Sequence, residues 1–431
     1  MERKIYRSKV NYLAAALMSL TCISVAHADT TAESIDALRQ EVNLLKQELE
    51  RIKAANEQPQ SAVVAAQLGS VSTTQPERVS GLAKTNGGAD LKVYGYIRAD
   101  ASYQNQGAST FYNNISAVPL ENTEEAAKQR NQLRSSAAAT RIGLDFSTPT
   151  ALGELKGKFE TDFFGGATRD QFRIRHAYLT LNNWLVGQTW STFIAPEYLP
   201  ETVEAATYVG GSLQRTPIVR YTHPLNTHTN LMFSLEDPKY TANTDPDHEM
   251  RTPAFVGRVN HKFDNGSVIS GRGFVAEKKT SHDELMSWGV GLGGKLQLSP
   301  ETLLKADYYH VKGDGRFLFW ANSGYALDAN QQMHQNEFDV ITLGATHQFA
   351  PKIRSTLGYG YMKAKDDNTF ANLKYADSTQ NKDLWQGWIN IMFDPVKPIN
   401  LGLEYVYGER TTFDGRSGYD NRFNIMAIYN F

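Results

Sequence analysis

The chain has 431 residues, 44 Lys and Arg against 46 Asp and Glu, and a single cysteine. A net charge of -2 gives no electrostatic footprint for nucleic acid, and one cysteine allows no disulfide within the chain. A mean hydropathy of -0.44 with 11% aromatic residues is polar overall yet rich in Tyr and Phe, which favours a large β-barrel over two or three ordinary domains.

The N-terminus carries Arg3, Lys4, Arg7 and Lys9, then the apolar stretch Tyr12 to Val25, then Ala26-His27-Ala28. Basic start, apolar middle and small-x-small end read as a signal peptide over 1–28, with the mature chain beginning near Asp29. Cys22 lies inside that segment, so the mature chain is expected to have no thiol chemistry; Ser19-Leu20-Thr21 departs from the pattern that precedes a lipid-modified cysteine. The apolar run is short for a membrane helix, and no later segment reads as one.

From Ile35 the apolar residues fall at Leu38, Val42, Leu45, Leu49 and Ile52, alternating steps of three and four. This a/d seam predicts a self-associating periplasmic coiled coil over 29–57, the other reading being an amphipathic helix packed on its own domain. Ile and Val at a with Leu at d would by themselves favour two strands. A Gln-, Ser-, Thr-, Ala- and Gly-rich stretch over 58–90 reads as a flexible linker.

From Leu91 onward the texture is strand-like to the last residue. Leu91, Val93, Ile97 and Ala99 share one face and Arg98 and Asp100 the other. Arg141, Asp145 and Ser147 interleave with Ile142, Leu144 and Phe146, and Lys156, Lys158, Glu160 and Asp162 oppose Leu155, Phe159 and Phe163. Alternation alone does not say which face is outside. The signal peptide, the strand lengths and the alternation of short turns with long polar loops select an outer-membrane barrel, oily side to lipid and ionic side to the lumen.

About sixteen strands are expected over 91–431, an all-β transmembrane antiparallel barrel wide enough for an aqueous interior. The final strand places Phe423, Ile425, Ala427, Tyr429 and Phe431 on one face, resembling the terminal signature of outer-membrane proteins.

No catalytic motif, metal-ligand cluster or cofactor site is expected. Gly289, Gly291 and Gly294 match a dinucleotide-type spacing, but Leu296 stands where a phosphate loop needs Ser or Thr, and the segment alternates as a strand. Glycine at alternate positions suits a wall where neighbouring side chains need room. A barrel lipase or protease assembled from separate strands remains an alternative, as does a structural barrel tethered through its coiled coil.

The stretch 172–221 is the most informative. One strand puts Arg173 and Arg175 opposite Phe172, Ile174 and Tyr178. A second runs from Trp184 to Thr192, and 193–211 then loses alternation and carries Glu197, Glu201 and Glu204 before the wall resumes. An insertion after the fifth strand is positioned to fold inward as a constriction loop. Alternation also turns Arg98, Arg141, Lys156, Lys158, Arg258 and Arg272 inward, and Arg98, Arg141, Lys158, Arg173, Arg175, Arg215, Arg220, Arg258 and Arg272 are the candidate lumen and solute-binding residues. Asp100, Asp145, Glu160 and Asp162 lie on the same surface to pair with them.

Arg173-Ile-Arg175-His-Ala-Tyr178, Trp184-Leu-Val-Gly187-Gln188-Thr189-Trp190-Ser191-Thr-Phe193, Pro200-Glu201-Thr202 and Arg215-Thr-Pro217-Ile-Val-Arg220-Tyr221-Thr222 together resemble the DcaP-like family of trimeric outer-membrane porins. The resemblance implies a sixteen-stranded barrel, a homotrimer among outer-membrane lipids, and uptake of small anions, dicarboxylates in particular. Rings of Arg and Lys select anions, whereas the three loop glutamates oppose a purely anion-selective throat. Glu197 and Glu204 fall outside the matched motif.

Overall fold

The computed structural model describes residues 82–85, 88–112, 115–166, 170–205, 213–239, 251–317 and 322–431. The signal peptide, the coiled coil, Cys22 and most of the linker read from the sequence lie outside the described residues.

The described residues form twenty strands, in order β1 (Leu82–Lys84), β2 (Asp90–Gln106), β3 (Gln132–Ser136), β4 (Arg141–Thr150), β5 (Gly153–Gly165), β6 (Gln171–Leu181) and β7 (Trp184–Trp190). Then come β8 (Arg215–Pro224), β9 (Thr229–Glu236), β10 (Ala254–Lys262), β11 (Val268–Lys279), β12 (Glu284–Ser299) and β13 (Thr302–Lys312). The remainder are β14 (Tyr325–Leu327), β15 (Met333–Gln335), β16 (Glu337–Ala350), β17 (Ile353–Ala364), β18 (Asn381–Phe393), β19 (Ile399–Thr412) and β20 (Ser417–Asn430).

Each wall strand pairs antiparallel with the next, and β2 pairs with β20 to close the cylinder. Strands β3 and β4 both pair with β2 and make one interrupted wall position, and β14 and β15 form a hairpin within a loop. The result is a closed barrel of sixteen wall positions plus β1, which pairs with β2 although the sequence places it at the end of the linker.

The faces sort by chemistry in the sense opposite to a water-soluble sheet. Ile97, Phe172, Leu292, Phe349 and Phe423 point outward and are more than half exposed, while Gln104, Gln386, Asp420 and Arg422 point inward with no exposure. That arrangement is stable only where lipid covers the outside.

Alternation fails at one place that matters. Glu160 pairs with His176 but Thr161 with Ile174, so Arg175 is an extra residue in β6. The bulge turns both Arg175 and His176 inward and inverts the parity beyond them, so Tyr178 pairs with Lys158 on the lumen face. The sequence-based placement of Tyr178 with Phe172 and Ile174 is therefore corrected.

The lumen is not uniformly wet. Near the long-loop end, Phe274, Val311, Phe338, Val340 and Met362 point inward from the wall. They pack with Ile115, Val118, Phe193, Phe317 and Phe370 from the loops into one apolar cluster. Loops folded into the barrel thus fill part of its outer half on the β11 to β18 side, a packing that short-range alternation does not reveal.

Candidate functional site

After β7 the chain leaves the wall and crosses into the barrel. The strand ends at Trp190, two residues before the sequence-based boundary, because the Thr192 amide turns away to donate to Glu236 at 2.7 Å. Phe193 then enters the apolar cluster, its ring 4.7 Å from that of Phe317 and 4.8 Å from that of Phe274.

From there each step of the loop is fastened to a successive part of the wall. The Ile194 carbonyl accepts from Arg258 of β10 at 3.1 Å, and Glu197 pairs with the same guanidinium. Lys305 of β13 donates to the Leu199 carbonyl at 2.9 Å. Arg354 of β17 grips Glu201 through two bonds of 2.8 and 2.7 Å, while Trp388 and Asn390 of β18 donate to the Glu201 carbonyl. Glu404 of β19 accepts from the amides of Val203 and Glu204 at 2.8 and 3.1 Å. Arg422 of β20 meets Glu204 at 3.3 Å, and Arg98 of β2 donates to the Val203 carbonyl.

Glycines on the lumen face make room for this strap. A methyl on Gly293 would lie 2.8 Å from the Tyr198 ring, and one on Gly402 2.8 Å from Val203; one on Gly344 would collide with Pro200. Gly291 clears space for the Arg272 guanidinium, which reaches across β12 to Asp307 at 2.5 Å. The alternating glycines of β12 therefore serve packing.

The wall facing the strap is different. Arg173 holds Asp162 at 2.6 Å, Arg175 bridges Glu160 at 2.7 Å and Asp162 at 2.9 Å, and Arg141 lies 3.4 Å from Glu160. Arg215 stacks over Trp190 with 4.0 Å from guanidinium carbon to ring centre. Nearer the short turns, Lys158 pairs with Asp145 at 2.5 Å and donates to the Tyr94 hydroxyl, which donates in turn to Glu160.

Between strap and wall, and extending toward the short turns, lies a cavity of about 1710 Å³. Its charged lining comprises eight cations (Arg98, Arg141, Arg173, Arg175, Arg215, Lys295, Lys305 and Arg354) and three carboxylates (Asp162, Glu201 and Glu301).

The residues singled out from the sequence divide accordingly. Arg141, Arg173, Arg175 and Arg215 come together on the facing wall, and Arg98 joins wall and strap, bonded also to Asp100 at 2.8 Å. Arg258 and Arg272 stand side by side but lie against the strap, and Lys156 is engaged by Glu154 at 2.8 Å. Arg220 is half-buried on β8 and makes no ion pair among the described residues. Sequence reasoning missed Arg354, Arg422, Lys295 and Lys305. Arg422 was readable, since it alternates with Phe423 and Ile425, both placed outward.

This fold matches known proteins. A profile described as DcaP outer membrane protein matches residues 18–431. The chain belongs to the DcaP outer membrane protein family. The outer membrane channel DcaP of Acinetobacter baumannii is 38% identical with a TM-score of 0.75, over 81% of this chain and 99% of that one. The anion-selective porin of Comamonas acidovorans (11% identity, TM-score 0.54, 80% and 100% coverage) and OmpT of Vibrio cholerae (14%, 0.52, 81% and 100%) share the fold. No curated protein sequence matches. As a DcaP family member the protein is an outer-membrane β-barrel channel of the porin type.

Proposed function

We propose that this porin passes small solutes by passive diffusion and prefers small anions, carboxylates and dicarboxylates among them, through the gap between the strap and the β4–β8 wall. One observation carries the reading: Glu197, Glu201 and Glu204 each meet a wall arginine, namely Arg258, Arg354 and Arg422. The loop's negative charge is spent on holding the loop, and the surplus charge beside the passage is positive.

In a narrow, partly desolvated channel that surplus lowers the energy of an anion and raises that of a cation. Paired guanidiniums such as Arg173 and Arg175 act mainly as a field, so binding stays weak enough for release. The 191–205 strap is read as the constriction. The homotrimer, and a coiled coil over 29–57 reaching into the periplasm, belong to the same proposal and rest on family resemblance and the heptad pattern.

Reversal potentials in planar bilayers under a KCl gradient test this reading. Changing both Arg173 and Arg175 to Ala leaves Glu160 and Asp162 with less cationic company and is expected to remove most of the chloride preference. Reversal potentials identical to wild type would exclude these two residues from selectivity.

A further inference from the structure

Arg215 differs from the other arginines beside the cavity. Arg141, Arg173 and Arg175 share the carboxylates of Glu160 and Asp162. Among the described residues Arg215 makes no ion pair or hydrogen bond through its guanidinium, and its Nε is shielded from solvent with no partner. Among the described residues that border the cavity on this wall, four guanidiniums thus face two carboxylates, and the one in surplus is Arg215, which opens β8; Arg220, farther along β8, does not border the cavity.

Its guanidinium lies over the Trp190 ring. A stacked aromatic face attracts the guanidinium electrostatically and fixes its plane, but it takes up none of the in-plane N–H donors. The ring is itself braced, edge-on to His176 at 5.5 Å between centroids, and His176 is held through Nδ1 by Thr189 at 3.0 Å. A carboxylate answers such a group with two parallel charge-assisted bonds. Shielding a guanidinium without an acceptor is costly, so an arriving carboxylate supplies what the protein leaves out.

We propose that Arg215 is the docking cation for carboxylate solutes in the throat and that Trp190 is the positioning residue that presents it. The inference rests on the anion-preferring reading above. Arg173 and Arg175, occupied by Asp162 and Glu160, shape the field around the docking point and do not compete for the solute.

The test is chloride current through the full-length protein in planar bilayers with graded succinate added to one side. Succinate is expected to lower the wild-type current, and Arg215→Gln to need about tenfold more for the same reduction, the scale of losing a charge-assisted hydrogen bond. Trp190→Leu is expected to weaken succinate block with little change in the KCl reversal potential, a split that a purely electrostatic role for Arg215 would not give. Arg215→Lys keeps the charge without the planar fork and should fall between wild type and Arg215→Gln; it also carries the test should Arg215→Gln form no channels. Equal block of wild type and Arg215→Gln overturns the docking role. A wild-type pore with a chloride-directed potential but no succinate block overturns docking and leaves anion preference standing, whereas a cation-directed potential overturns both.

Discussion

Along β10 to β20 the lumen wall presents Arg258, Arg354 and Arg422, each meeting a glutamate of the 191–205 strap; along β4 to β8 it presents Arg141, Arg173, Arg175 and Arg215 beside the cavity, which among the described residues have only Glu160 and Asp162 between them. The residue type is the same and its work is different. Where a chain segment of complementary charge folds onto the wall, arginine is an anchor, and its charge is neutralised before a solute meets it. Where no such segment among the described residues covers the wall, part of the charge remains for the passage. A count of inward arginines cannot separate these cases, because the deciding quantity is which carboxylate each one meets.

The largest expected effect comes from breaking the anchored side. Glu404 is buried and accepts from two strap amides and from Asn424 and Asn390 Nδ2; Asn390 keeps the Glu201 carbonyl, so Glu404→Ala leaves the two amides and Asn424 Nδ2 unanswered in a closed site. A loss of about 3 kcal/mol of strap anchoring is expected. Single-channel recordings should then show larger and noisier conductance; steady wild-type conductance would mean the strap is held elsewhere.

Arg354→Ala sharpens the contrast from the charge side. It removes a cation and uncovers Glu201 at the cavity, so the anion-to-cation permeability ratio should fall by about twofold. Adding Glu201→Gln should restore most of that fall, which the reversal potential of the double variant would reveal.

Gly344→Val acts on shape alone. A side chain there collides with Pro200, and overpacking of this kind costs about 1–3 kcal/mol. Displacement of the strap into the passage should lower conductance while leaving selectivity nearly unchanged. Lys158→Gln is expected to matter least. Lys158 pairs with Asp145 and neither residue lines the cavity beside the strap, so permeability ratios should move little.

Much of this architecture was legible in the sequence. Period-two alternation placed Ile97 and Phe423 outward and Arg98 and Arg272 inward, because lipid on one side and water on the other leave a strand no other choice. Tyr178 was misplaced because a single extra residue at Arg175 reverses parity, and bulges leave no mark in hydropathy. The anchoring of Glu201 by Arg354 was invisible, since it joins residues 153 apart through a loop whose path no local pattern encodes. The apolar filling of the outer lumen escaped for the same reason: Phe274 and Phe338 sit at inward positions where alternation predicts polarity, and only the incoming loops explain them.

The central claim is that the strap's glutamates are neutralised, so that the uncompensated charge in the throat is positive. The reversal potential of the unmodified protein across a KCl gradient tests this most directly. A potential toward the chloride equilibrium value is the predicted result, and one toward the potassium value would mean that the glutamates, not the arginines, govern the passage.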